Sequence, residues 1–106
     1  GVVTASGDIT AFSDIKVKEN IQDLEGSLNK VTQLRGVSYN KIGSEEKSIG
    51  VIAQEIREVL PEVVKEHEDG ILSVAYGNIT AVLIEAIKEQ QAQIEELKSR
   101  LDGLTK

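Results

Sequence analysis

Residues 77–106, GNITAVLIEAIKEQQAQIEELKSRLDGLTK, decide the fold because they carry an unbroken heptad pattern. The residues of the pattern recur at alternating spacings of four and three: Leu83, Ile87, Gln90, Ile94, Leu97, Leu101 and Leu104. A stripe with this period is the seam of a coiled coil. We therefore expect a long helix over about residues 78–104, with Asn78 as its N-cap.

The register of the seam places Ile87, Ile94 and Leu101 at a positions and the other seam residues at d positions. A polar residue such as Gln90 inside a seam costs stability but can fix register and partner number. Charged residues off the seam favour association with other chains: Glu95, Glu96, Lys98 and Arg100. The alternative is a single amphipathic helix packed on its own domain, and the pattern alone does not fix the number of chains.

The segments before this helix predict a small α+β domain of short strands and helices. VSYNKI (37–42) alternates like a strand, and IGVIAQEIREVLPEVV (49–64) begins as a strand, becomes a helix near Ala53 and stops at Pro61. EVVKEHEDGILSVAY (62–76) predicts a hairpin. Only 3 % of the 106 residues are aromatic, so the core must be a thin one of Ile, Val and Leu.

The N-terminal third is predicted less sharply. DLEGSLNKVTQLRG (23–36) has helical spacing, with Ser27 as a candidate N-cap and Gly36 as a stop. DIKVKENI (14–21) alternates like a half-buried strand. Residues 1–12 suggest short strands around a turn at residues 6–8.

Composition argues against several classes of partner. The net charge of −6 disfavours nucleic acid and anionic lipid as partners, and no apolar run approaches the roughly 20 residues of a membrane span. Cysteine is absent, and His67, the single histidine, lies among acids without the spacing of a zinc site. We expect no metal and no cofactor.

The segment AFSDIKVK (11–18) contains a candidate serine–lysine pair, Ser13 and Lys18. A serine hydroxyl is a weak nucleophile until a base removes its proton. A lysine side chain ordinarily has a pKa near 10.4, so it serves as that base only where burial disfavours its charged form. A nearby carboxylate opposes this effect, so Asp14 is expected to bond backbone amides instead. An ordinary turn with solvated lysines is the alternative interpretation of the segment.

Geometry adds a condition to the catalytic interpretation. An offset of five residues in an ideal strand would put Ser13 and Lys18 on opposite faces, so the chain has to bend between them. The bond that this pair would cleave is the peptide bond between Phe12 and Ser13. Either the serine hydroxyl attacks the Phe12 carbonyl directly, or Ser13 orients a water molecule.

Three blocks of the sequence resemble one known family. GDITAFSDIKVKENI, GVIAQEIREVLPEVV and LSVAYGNITAVLIEAIKEQQAQIEELK are together similar to the intramolecular chaperone auto-processing domain, of the peptidase S74 type, at the C-terminus of bacteriophage tail spikes, tail fibres and endosialidases. The similarity extends over roughly residues 7–101. It implies a homotrimeric α+β domain ending in a coiled coil, which helps the upstream fibre region of the same chain to fold and then cleaves itself off.

The family motif Ser-Asp-x-Arg-x-Lys corresponds to residues 13–18 here. The resemblance implies a catalytic pair of Ser13 and Lys18, cleavage between Phe12 and Ser13, and supporting roles for Asp14 and Lys16. Lysine at position 16 replaces the usual arginine and loses its planar fork of donors. Residues 1–12 would then be the end of the fibre and residues 13–106 the released chaperone.

The resemblance also implies a location, a virion tail component made in the host cytoplasm. The rival hypothesis is a non-catalytic trimerisation module that caps a fibrous protein. A third possibility is a eukaryotic membrane-bound transcription factor that shares this domain type.

Overall fold

The long C-terminal helix, α3 (Tyr76–Leu104), dominates the computed structural model, which describes residues 10–104. Its 29 residues give a length of about 43 Å. The predicted helix is confirmed, but Asn78 is not its N-cap. The helix begins two residues earlier, and the Asn78 amide already donates to the Ala75 carbonyl at 3.0 Å.

The part of the chain between residues 10 and 75 folds into short elements only. These are α1 (Ser27–Val31), β1 (Val37–Asn40), β2 (Lys47–Gly50), α2 (Ala53–Val59), β3 (Val64–Glu66) and β4 (Leu72–Val74), with 3₁₀ turns at Ile15–Val17 and Pro61–Val63. Strands β1 and β2 form one antiparallel pair, and β3 and β4 form a second. The mixed α+β class predicted from the sequence is confirmed.

Several local predictions are also confirmed. Helix α2 begins at Ala53, and Pro61 follows its C-cap, where the missing amide donor prevents the helix from continuing. The 62–76 segment forms the β3–β4 hairpin, whose turn contains Gly70 at φ 80°. That backbone conformation is one that glycine adopts without strain.

Two predictions in the N-terminal third are wrong. The segment predicted as a half-buried strand forms the 3₁₀ turn Ile15–Val17, and none of its residues is buried. Helix α1 has only five residues and ends well before Gly36, and its N-cap is Gly26 rather than Ser27. The predicted strands of residues 1–12 lie largely outside the described residues.

The core is as thin as the composition suggests. It is centred on the contact between α2, the following 3₁₀ turn and α3, where five hydrophobic residues are buried: Ile56, Leu60, Val63, Val82 and Ala86. Partly buried valines, leucines and isoleucines surround this centre. Because Val82 and Ala86 come from one face of α3, the first half of that helix is part of the domain core.

A long-range hydrogen bond fixes α1 against α3. The N-cap of α1, Gly26, has a left-handed backbone (φ 68°) and no side chain with which to cap the helix. The Leu28 amide donates instead to Oε2 of Glu89 on α3, at 2.7 Å and in a partly buried position. A carboxylate at the start of a helix is favourable both as an acceptor and as a charge.

Replacing Glu89 with alanine is expected to destabilise the domain by about 2 kcal/mol, because a partly buried amide loses a charged acceptor. Urea unfolding at one protein concentration measures the change. Glu89→Gln keeps an acceptor oxygen and should lose less. Glu95→Ala, on an exposed part of the same helix, serves as control. Equal midpoints for Glu89→Ala and Glu95→Ala would show that the bond contributes nothing.

The second half of α3 projects from the domain. The Cα radius of gyration is 18.4 Å, against about 13 Å for a compact chain of this size. The apolar seam is exposed along the helix, with Ile87 at 64 % and Leu97 at 57 % of full exposure. A helix that presents such a stripe to solvent lacks a partner for it in the single chain.

Candidate functional site

The structure brings Ser13 and Lys18 together. The Lys18 Nζ donates a hydrogen bond to the Ser13 Oγ at 2.7 Å. This is the distance over which a deprotonated amine could accept the hydroxyl proton. The contact supplies the geometry that a serine–lysine pair needs, while its catalytic role stays a prediction.

A 3₁₀ turn produces this approach. The Asp14 side chain accepts a hydrogen bond from the Lys16 amide at 2.8 Å and caps the turn. Backbone bonds from Val17 to Asp14 and from Lys18 to Ile15, each 3.1 Å, close it. Asp14 thus bonds a backbone amide, as expected, and the turn supplies the bend that an extended strand lacks.

The serine–lysine pair lies at a cleft of about 420 Å³ in the domain. Distant segments build its walls: the N-terminal turn, Leu24, the end of α2 with the following 3₁₀ turn, and the first turns of α3. The lining residues are Ser13, Lys18, Leu24, Leu60, Glu62, Val63, Gly77, Asn78, Ala81 and Val82. The walls are therefore mostly apolar, and the polar side chains are few.

The sequence carries no signal for the cleft walls. It predicts helical spacing over residues 23–36, which include Leu24, a helix cap at Asn78 and a hairpin that starts at Glu62. Each of these side chains reaches the cleft through tertiary packing, for which the local sequence carries no signal. Only Ser13 and Lys18 were marked by residue type and spacing.

The other residues of the predicted site are solvent-accessible in the single chain. Phe12, on the acyl side of the predicted scissile bond, is fully exposed. Lys16 is exposed, and so is the Ser13–Lys18 pair itself. The peptide bond is therefore accessible, and this chain alone does not shield the lysine from water.

The predicted coiled-coil seam runs along α3 beside the stripe that faces the core. Every seam residue is exposed in the single chain: Leu83, Ile87, Gln90, Ile94, Leu97, Leu101 and Leu104. Val82 and Ala86 lie on a neighbouring, buried face of the helix. The helix therefore has one face used by its own domain and another that is available to other chains.

The Arg35–Glu55 ion pair contributes to structure rather than to the cleft, whose lining includes neither residue. The guanidinium donates two hydrogen bonds of 2.9 Å to the carboxylate. These bonds lower the pKa of Glu55 and raise the pKa of Arg35. The paired, fork-shaped geometry links α2 to the segment after α1.

His67 lies at the exposed β3–β4 turn, where its Nε2 is 2.8 Å from the Ser73 Oγ. Among residues 10–104, no group of three or more His, Cys, Asp or Glu side chains could hold a metal ion. Within the same range, no helix has both the length and the apolar character that crossing a membrane requires.

Comparison with known proteins identifies relatives among phage proteins. The chain is 43 % identical over 98 residues to the long tail fiber protein Gp37 of Enterobacteria phage K3, which covers 84 % of this chain and 8 % of that protein. It is 36 % identical over 104 residues to Gp37 of Enterobacteria phage M1, covering 89 % of this chain and 41 % of that protein. Gp37 of Salmonella phage S16 is 37 % identical over 107 residues, covering 96 % of this chain and 14 % of that protein.

The chain thus spans less than half the length of each of these relatives. A family comparison matches residues 13–65, which include the serine–lysine turn, both short helices and the first hairpin. The match begins at Ser13, the residue that follows the predicted scissile bond. On this match, the chain belongs to the peptidase S74 family, described as the chaperone of endosialidase.

Proposed function

We propose that this chain is the C-terminal chaperone domain of a phage tail fibre or tail spike, which assembles three chains and then releases itself by cutting between Phe12 and Ser13. Family membership and the tail fibre relatives support the chaperone role and a place in the phage tail. The 2.7 Å contact between Lys18 Nζ and Ser13 Oγ, beside a cleft, is the observation that carries the cleavage.

The chemistry follows from the two side chains. The deprotonated Lys18 amine takes the Ser13 hydroxyl proton as Oγ attacks the Phe12 carbonyl carbon. The C–N bond breaks, the Ser13 amine leaves with a proton returned by Lys18, and an ester joins Phe12 to Ser13 Oγ. Water then hydrolyses the ester to a Phe12 carboxylate and a free serine hydroxyl. A water molecule activated beside Ser13 would give the same two products.

Assembly is proposed to control this reaction. A lysine acts as a base near neutral pH only where burial disfavours its charge, and Lys18 is exposed in the single chain. Apolar residues beside it, Ile15 and Val17, are also exposed, at 72 % and 71 %. A second subunit that covers this turn would remove water from both the apolar residues and the amine.

The same logic explains why a fibre would carry such a domain. Trimeric β-rich fibres form many non-local contacts and expose unpaired strand edges while they fold. A C-terminal coiled coil raises the local concentration of the three chains. Cleavage only after assembly would report correct folding and would make dissociation of the fibre kinetically difficult. Residues 1–12 would remain with the fibre, and residues 13–106 would leave.

Intact mass measurement of the 106-residue chain, refolded from denaturant, tests the cleavage. The wild type should lose the mass of residues 1–12, and Ser13→Ala should keep it, because the variant has no nucleophile. An uncut wild type of correct oligomeric mass would instead support a non-catalytic trimerisation module, the alternative that the exposure of Lys18 favours. Cleavage that continues in Ser13→Ala would contradict the serine mechanism.

The dependence of cleavage on assembly is tested by repeating the refolding over a dilution series. The fraction cleaved should fall with the fraction of assembled chains, since the monomer leaves the lysine in water. Sedimentation measures assembly in the same samples. Cleavage at full rate in samples that contain only monomer would exclude control by assembly.

A further inference from the structure

The proposed cleavage requires a group that the serine–lysine pair does not supply. Attack on the Phe12 carbonyl turns its oxygen into an oxyanion, which needs a hydrogen-bond donor. Lys18 is already engaged with the Ser13 Oγ, 2.7 Å away, and exchanges the proton there. A further donor in the same cleft is therefore needed.

The lining of the cleft offers two further polar side chains, Glu62 and Asn78. A carboxylate accepts hydrogen bonds and would repel an oxyanion, so Glu62 is the wrong kind of group. A side-chain amide has two N–H donors and no charge. Of these two side chains, only Asn78 therefore has the required chemistry.

Asn78 has no structural bond that would explain its polar side chain. Its sequence context suggests a helix cap, but α3 begins at Tyr76 and leaves Asn78 inside the first turn. Within residues 10–104, its side-chain amide bonds no other protein group, and only its backbone amide is engaged, with Ala75. The two N–H donors are therefore available in the cleft.

The position of Asn78 is well fixed by the helix. Residues four apart lie on the same helical face, so Asn78 is followed on its face by Val82. Val82 also lines the cleft and is buried in the core at 6 % exposure. The core thus fixes the backbone of the turn that carries Asn78 beside the cleft, and the Asn78 side chain is exposed there.

We propose that Asn78 donates the hydrogen bond that stabilises the oxyanion formed on the Phe12 carbonyl, and is a third catalytic residue beside Ser13 and Lys18. This assignment rests on the proposed function. It names the side-chain amide, rather than any role in the helix, as the reason for asparagine at this position.

Two substitutions separate the donor role from a helical one. Asn78→Asp keeps the shape and removes the amide N–H groups, and a carboxylate in the first turn of a helix favours the helix. Asn78→Ala removes the donor without adding charge. A merely structural role therefore predicts that Asn78→Asp cleaves at least as fast as the wild type, whereas the donor role predicts that both variants are slow.

The experiment follows cleavage by intact mass after refolding of the 106-residue chain, with oligomeric mass and helix content measured on the same samples. Both variants are expected to assemble as the wild type does and to cleave about 100-fold more slowly. Asn29→Asp, the same change at an exposed asparagine of α1 that does not line the cleft, is the control and should stay within about threefold. Should either Asn78 variant fail to assemble, Asn78→Gln, which keeps a donor, must cleave faster than Asn78→Glu, which has none.

The possible failures are distinguishable. A wild-type chain that assembles and is never cut defeats the proposed function itself. A wild type that is cut, with either Asn78→Asp or Asn78→Ala within about threefold of its rate, defeats only the assignment of Asn78. If Asn78→Ala is fast and Asn78→Asp is slow, the slow rate reflects the added charge and not the loss of a donor.

Discussion

Lys18→Arg is expected to leave the chain uncut between Phe12 and Ser13 although the positive charge at position 18 is kept. Arginine has no accessible neutral form and cannot take the serine proton. Loss of a general base typically slows a reaction by about 10²–10⁴. Intact mass, followed over hours after refolding, should show the full-length chain alone while the wild type is processed.

The matched control is the same substitution two residues earlier. Lys16→Arg restores the arginine that is usual in the family motif and leaves Ser13 and Lys18 unchanged, so it should be cut at the wild-type rate or faster. If Lys18→Arg is cut as fast as Lys16→Arg, Lys18 is not the base. The oligomeric mass of both variants verifies that each one has assembled.

Ile94→Asp is expected to break the assembly. Ile94 occupies an a position of the predicted seam, and α3 leaves it partly exposed in the single chain, at 42 %. In an assembled coiled coil, each chain would place an unpaired carboxylate in a dry interface, at a cost of several kcal/mol per chain. Because about 1.4 kcal/mol is tenfold in affinity, the chains should be monomeric at micromolar concentration. Sedimentation equilibrium measures this.

Ser99→Asp adds the same charge to the same helix at an outward f position, and it should assemble as the wild type does. If assembly controls cleavage, Ile94→Asp should also remain uncut, whereas Ser99→Asp should be cut at the wild-type rate. A wild-type oligomeric mass for Ile94→Asp would contradict the predicted seam. If Ile94→Asp is monomeric and is cut at the wild-type rate, the predicted seam is correct but assembly does not control cleavage.

The parts of the fold that the sequence predicted are those with local causes. The heptad spacing of α3 extends over many residues, so one helical period is readily distinguished from other patterns. Pro61 ends α2 through its own ring and its missing donor. The β3–β4 hairpin follows from two short apolar runs around a polar turn with Gly70. Each of these signals lies within the element that it predicts.

The predictions that fail concern segments whose structure depends on a few side chains or on a contact with a distant residue. Alternation over residues 15–18 is too short to distinguish a strand from a turn. The hydrogen bond that the Lys16 amide donates to the Asp14 carboxylate stabilises the turn. The candidate pair was found through its residue types, but its 2.7 Å contact depends on that turn. The sequence predicts Asn78 as the cap because Tyr76 and Gly77, the first two residues of α3, carry no signal for the start of a helix.

The hydrogen bond from the Leu28 amide to Glu89 has a consequence for biosynthesis. The two residues are 61 positions apart, so a ribosome has to add all the intervening residues before the acceptor exists. The α1 segment therefore emerges from the ribosome early, and its Leu28 amide has no Glu89 acceptor while translation proceeds. Anything encoded upstream of it has left the ribosome before the domain can close, and the order of synthesis thus delays the closing step until Glu89 has been made.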